Sequence, residues 1–246
     1  MAITAGVLTN GASTTDGLAF TTASITPGAN RLITISIMAR RKAASADIVV
    51  VTIIGNGITY TEVNKTVASS AGRCLLYRGM AASPSAGAIV ITFDELMETC
   101  LWSVTEFDGV DTTGTNGSGA VVQSAVRIEG GVTEGDVTLA AFGDATNNAP
   151  FMCDGTRSAP TMTPEAGYTE LSDQNTSEDT SLASEWKIGE DTNVTMTSNG
   201  AGDHYMVAME IKDAGAPAAA AGLNLERIER HYPRGHLRGV MRGAVH

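Results

Sequence analysis

The chain has 246 residues, of which 43% are hydrophobic, 17% charged and 5% aromatic, with 27 glycines and a formal net charge of −11. That length can bury a real core, as one large β domain or two small ones, and the low charge excludes a long charged coiled coil or a highly charged disordered chain. The charge is split: residues 1–222 carry 11 Lys+Arg against 25 Asp+Glu, a net of −14, whereas residues 223–246 carry five Arg, two Glu and three of the four histidines, a net of +3.

In chain order, MAITAGVLTNGAS has no basic region, and its apolar stretch is too short for a secretory signal, so cytoplasmic synthesis is expected. Period-two alternation then predicts strands at Leu18–Ala23, Arg31–Ala39, Ile48–Ile54, Ile58–Val63, Arg73–Met80, Ala88–Phe93, Cys100–Phe107 and Ala120–Arg127. The second half offers Asp136–Phe142, Ala149–Cys153, Gly167–Leu171, Ser181–Ile188, Asn193–Thr197 and His204–Ile211. Asn56-Gly57 predicts a tight hairpin between Ile48–Ile54 and Ile58–Val63, because both central residues of a type I′ turn need positive φ. Pro27-Gly28, Ser83-Pro84-Ser85 and Asn199-Gly200 separate other strands. Many short strands without a convincing helix predict an all-β fold, an antiparallel β-sandwich of the jelly-roll kind. No repeat of 20–50 residues points to a solenoid or propeller.

The sandwich domain is expected to span residues 1–212, followed by an Ala/Gly/Pro linker at 213–222 and a basic C-terminal arm at 223–246, extended or partly helical. Leu223–His231 allows about two helical turns before Pro233 interrupts them, and Arg-Gly pairs recur every four residues from Arg234. Leu223, Leu225, Ile228, Leu237, Val240 and Met241 are apolar anchors, and Arg227, Arg230, Arg234, Arg238 and Arg242 can bind carboxylates bidentately. The segment therefore reads as an arm that orders on a partner, the alternative being a frayed tail.

Little in the chain points to catalysis, and no catalytic residue or cofactor is assigned. His204, beside Asp203, is the one histidine of the body; an Asp–His pair could orient an imidazole, but no GxSxG nucleophile elbow accompanies it. Cys74, Cys100 and Cys153 are too few and too widely spaced for a metal knuckle or a disulfide scaffold, and read as small buried hydrophobes. Glu106, Asp108, Asp111 and Asn116 could supply oxygen ligands to Ca²⁺, although their spacing does not match an EF-hand and a solvated turn is the simpler reading. Trp102 and Trp186 lie in alternating runs as core residues would, so no aromatic sugar platform is evident. An acidic body without a basic patch argues against nucleic-acid binding, and no apolar run of about 18 residues argues for membrane insertion.

TTASITPGANRLITISIMARR at 21–41, LYRGMAASPSAGAIVITF at 76–93 and LWSVTEFDGVDTTGTNGSGAVVQSA at 101–125 resemble uncharacterised β-sandwich proteins among tailed-bacteriophage structural genes. The resemblance implies a non-enzymatic virion component made in a bacterial host cytoplasm, such as a capsid decoration (cement) or tail accessory protein. Other virion proteins and further copies of the chain are its expected partners. A receptor- or glycan-binding module of a tail is the alternative. The resemblance supplies no site residues.

Overall fold

The computed structural model describes residues 2–42, 48–67, 72–158, 161–176 and 179–215. The first seven strands are β1 (Thr4–Ser13), β2 (Gly17–Thr21), β3 (Leu32–Arg41), β4 (Val50–Ile54), β5 (Thr61–Lys65), β6 (Gly72–Gly79) and β7 (Val90–Asp108). They form one antiparallel sheet in the order β1-β7-β3-β6-β5, with β2 and β4 flanking the first part of β7. The next six are β8 (Val121–Thr138), β9 (Ala149–Thr156), β10 (Met162–Pro164), β11 (Thr169–Thr176), β12 (Thr180–Trp186) and β13 (Asn193–Ile211). They form a second antiparallel sheet in the order β10-β13-β9-β12-β11, with β8 on β13. The all-β sandwich expected from the alternation is present. The jelly-roll connectivity differs: such a chain passes repeatedly between its sheets, whereas here one sheet is filled before the other begins. Alternation gives strand positions but not their pairing.

The two sheets are built on the same plan. In each, a 19-residue strand (β7 or β13) pairs with the first strand of its half on one side and with β3 or β9 on the other. Registers match residue for residue: Leu32↔Phe107 through Ala39↔Cys100 in the first sheet correspond to Ala149↔Ile211 through Thr156↔His204 in the second. β6 and β12 then follow, and β5 and β11 close the edge with the same irregularity, between Glu62 and Asn64 and between Glu170 and Ser172. Tyr60-Thr61-Glu62-Val63 and Tyr168-Thr169-Glu170-Leu171 occupy equivalent places. So do Glu106 and Glu210. Each accepts hydrogen bonds from the residue just before β3 or β9, Arg31 or Asn148, and from a glycine N–H, Gly28 or Gly143. The sheets also meet symmetrically, β1 against β11 and β5 against β8, β6 against β9 and β13, β12 against β3 and β7. That is the pattern of an isologous interface, here within one chain. This structural repeat spans roughly a hundred residues, well beyond a 20–50-residue unit, and few residues are shared at its equivalent positions.

The central strands of each sheet, β3 and β6 in the first and β9 and β12 in the second, are buried on both faces. Inward residues Leu32, Met38, Leu76, Leu101, Phe107, Phe151, Val207 and Met209 form the core between the sheets. The first part of β7, with β2 and β4, supplies Phe20, Ile91 and Phe93, which pack over the outer residues Ile33, Ile35 and Ile37. In the second half Val137, Met162, Val194 and Met196 cover Met152, Met206 and Ala208 in the same way. Burial on both sides is why Thr34 and Ser36, which alternate with Ile33, Ile35 and Ile37 in β3, are themselves fully buried and not solvated.

Turn chemistry is local and pairing is not. Asn56 and Gly57 have φ of 58° and 65°, and the Ile58 N–H donates to the Gly55 carbonyl, so the expected tight turn exists. The strands it joins do not pair: β4 pairs with β7, and β5 with β6. The Asn56 side chain instead donates to the carbonyls of Ser85 and Gly87, tying the turn to the loop before β7.

Candidate functional site

Titratable chemistry collects under the outer cover of the second sheet. His204 lies on β13 and Asp154 on the neighbouring β9, both fully buried. His204 Nδ1 meets Asp154 Oδ2 at 2.6 Å, and His204 Nε2 lies 3.3 Å from Ser198 Oγ. Asp203, its neighbour in sequence, faces the other way, beside Arg157 at 4.0 Å. Successive strand residues point to opposite faces, so adjacency in sequence separates their side chains. Asp154 lies one residue beyond the alternating run Ala149–Cys153, and β9 continues through it to Thr156. Only the pairing of β9 with β13 brings it to His204.

Burial pulls the His204 imidazolium down, but the hydrogen bond and charge of Asp154 outweigh it, and the histidine pKa is raised. Burial also raises Asp154, against the opposing pull of His204. With His204 protonated, Nε2 donates to Ser198 Oγ, and Ser198 Oγ donates to the Gly200 carbonyl at 2.8 Å. The sequence Asp–His–Ser has the order of a hydrolase triad. Ser198 Oγ is nevertheless closer to the Gly200 carbonyl, at 2.8 Å, than to the imidazole, at 3.3 Å. Nearby, Glu185 on β12 is fully buried. Its Oε2 accepts from the Glu165 N–H at 2.9 Å, Oε1 has no partner among the described residues, and burial pushes its pKa up to about 8.

The four candidate calcium ligands are engaged by hydrogen bonds and ion pairs of the body itself. Glu106 is held by Arg31 and the Gly28 N–H, and Asp108 by Arg31 at 3.3 Å and the Gly109 N–H. Asp111 accepts from Lys212 Nζ at 2.6 Å and the Thr113 N–H at 2.7 Å, and the Lys212 bond holds its pKa down at about 2. Asn116 occupies a left-handed turn position, with its carbonyl bound by Arg78. Among the described residues, no three His, Cys, Asp or Glu side chains converge as a metal site. Trp102 packs in the outer cluster of the first sheet and Trp186 against the core between the sheets.

The body extends slightly past the expected boundary at Lys212. The Asp111 N–H donates to the Lys212 carbonyl, the Asp213 N–H to Asn148 Oδ1 and the Ala214 N–H to the Gly109 carbonyl, so the chain is pinned to both halves where it leaves the body. An open groove of about 430 Å³ lies there, lined by Val122, Asp144, Asn148, Lys212 and Asp213 among others. The arm with its anchors and arginines, from Leu223 to Arg242, lies outside the described residues. No protein-family model, curated protein or solved structure matches the chain.

Proposed function

We propose that the protein is a non-enzymatic structural component of a tailed-phage virion, a capsid decoration (cement) or tail accessory protein attached through residues 223–246. The observation that carries this reading is the division of charge and apolarity along the chain: a body of net −14 and, past a small-residue linker, a +3 arm with regularly spaced arginines and six apolar anchors. The arm's partner is an acidic protein surface, on a neighbouring copy or on another virion protein. Buried apolar anchors offset the ordering cost of about 1–2 kcal/mol per residue, and arginine–carboxylate pairs set the register. Many copies on a symmetric particle make individually weak contacts effective. An acidic Thr/Ser-rich exterior suits a part that must not associate nonspecifically.

A chain ending at Gly215 tests this directly. It should stay folded and soluble, because the last hydrogen-bonded residues of the body are retained, and it should lose incorporation into particles. Normal incorporation would make the arm a mere tail and sink the proposal. Glycan-array binding by a protein with no effect on particle stability would instead favour a receptor-binding role.

A further inference from the structure

We propose that Cys74 and Cys153 are a disulfide-forming pair that covalently joins the two sheets when the protein meets an oxidising environment. The two residues are 79 apart in sequence, on β6 of the first sheet and β9 of the second. Their side chains both point into the core between the sheets, where the sulfur atoms lie 3.5 Å apart. Cys74 Sγ is also 3.9 Å from the Cys153 carbonyl oxygen, so the sulfur already sits over its partner's backbone. Reaching the S–S distance of about 2.05 Å requires an approach of about 1.5 Å.

The sheets are close at this crossing. A Cβ on Gly155 of the second sheet would fall 2.5 Å from Met38 Sδ of the first, and one on Gly72 of the first would fall 3.1 Å from Arg157 Cδ, just beyond β9. The repeat makes the pairing specific. In the symmetry-equivalent crossing, register places Leu182 where Cys74 stands and Ser36 where Cys153 stands, so only one of the two equivalent positions can be cross-linked. Cys100 is on the outer face of the first sheet, in a different cluster, and is not offered to either thiol.

In the reaction, both thiols lose their protons and two electrons pass to a low-molecular-weight disulfide, which leaves as two thiols. One protein thiolate first attacks that disulfide, and the second then displaces the mixed-disulfide sulfur to form Cys74–Cys153. Both residues are fully buried in the closed sandwich, so exchange proceeds as the sheets come together during folding or on local opening.

The test uses the full chain, refolded from denaturant with oxidised and reduced glutathione and compared with protein kept in dithiothreitol. Peptide mapping without reduction should find one linked pair, Cys74 with Cys153, and one free thiol at Cys100. The oxidised protein should melt several degrees higher, since a long loop is closed, and dithiothreitol should abolish the shift after denaturation. Cys100→Ser should keep the link and Cys74→Ser should remove it. Three free thiols after oxidative refolding, a link involving Cys100, or a lowered melting temperature on oxidation would each overturn the proposal. None of these outcomes depends on whether the protein is incorporated into particles.

Discussion

The two halves share one plan of strands and differ in what they bury beneath their outer covers. The first half places Ile37, Cys100 and Tyr77 on the outer face of its sheet, within an isoleucine-rich cluster. At the same register positions the second half places Asp154, His204 and Glu185. The aliphatic layer around them is built largely from methionine, with Met152, Met162, Met196 and Met206. The same backbone scaffold therefore tolerates either a dry layer or a paired acid and base, provided that the charged groups satisfy each other. The second half buys nothing in stability from that substitution, since desolvating an ion pair commonly costs as much as the pair returns.

The comparison makes its largest prediction at that pair. Asp154→Ala leaves the buried His204 Nδ1 without its partner and should cost about 3–5 kcal/mol in urea unfolding. Installing the residues of the first half together, Asp154→Ile with His204→Cys, should cost far less or even stabilise, by up to about 4 kcal/mol. If the double replacement is as damaging as the single, the two outer faces are not interchangeable and the equivalence fails. Hydrolytic turnover abolished by His204→Ala would likewise show that the second half had diverged toward chemistry.

Glu185 should distinguish the halves by pH. Its native pKa of about 8 lies above the ordinary glutamate value of 4.5, so the folded state holds a proton that the unfolded state releases. The resulting stability is full below about pH 4.5, falls as pH rises toward 8, and then levels off. The slope is at most about 1.4 kcal/mol per pH unit. Glu185→Gln should remove this component, read as the difference between the unfolding curves of the two proteins from pH 5 to 9. Tyr77, its counterpart, is pushed up by burial and by Glu62 and stays neutral across that range.

A smaller effect is expected where the halves meet. Asp111 is depressed to about 2 by the Lys212 bond, so its contribution is present above about pH 3.8 and disappears as pH falls toward 2. Lys212 is half exposed, which limits the bond to about 1 kcal/mol or less at neutral pH. Asp111→Asn should lose that amount at pH 7 and little at pH 2, measured by denaturant unfolding at both values.

Strand positions were largely legible in the sequence, because alternation survives wherever a face is buried. The first strand, TAGVLTNGAS, was missed because its residues are mostly small or polar. The long strands β7 and β13 read as two each. DELMET dilutes the apolar pattern in β7, and Asn199-Gly200 in β13 resembles a turn while the chain stays extended through it. His204 was visible as the lone body histidine, but its partner depends on inter-strand register, which local sequence does not encode. The Cys74–Cys153 contact depends on how two sheets face each other, one step further from the sequence. The likeness of the two halves shows in the sequence only as short marks, such as the paired YTE segments, because packing constrains which face a side chain occupies more than which residue fills it.

The pinning of Lys212, Asp213 and Ala214 has a mechanical consequence. β13 runs antiparallel to β8 on one side and to β9 on the other, and its ladders extend to Ile211 beside that exit. A pull along the axis of β13 loads these hydrogen bonds in shear, so that many must yield together instead of opening one after another. Part of the load also passes through the Asp111 N–H to Lys212 carbonyl bond and the Val110↔Asp213 bridge into the end of the first sheet. The exit thus works as an anchor bolt set into both sheets, and single-molecule pulling through the C-terminus should meet a higher rupture force than pulling that peels β11 from its exposed edge.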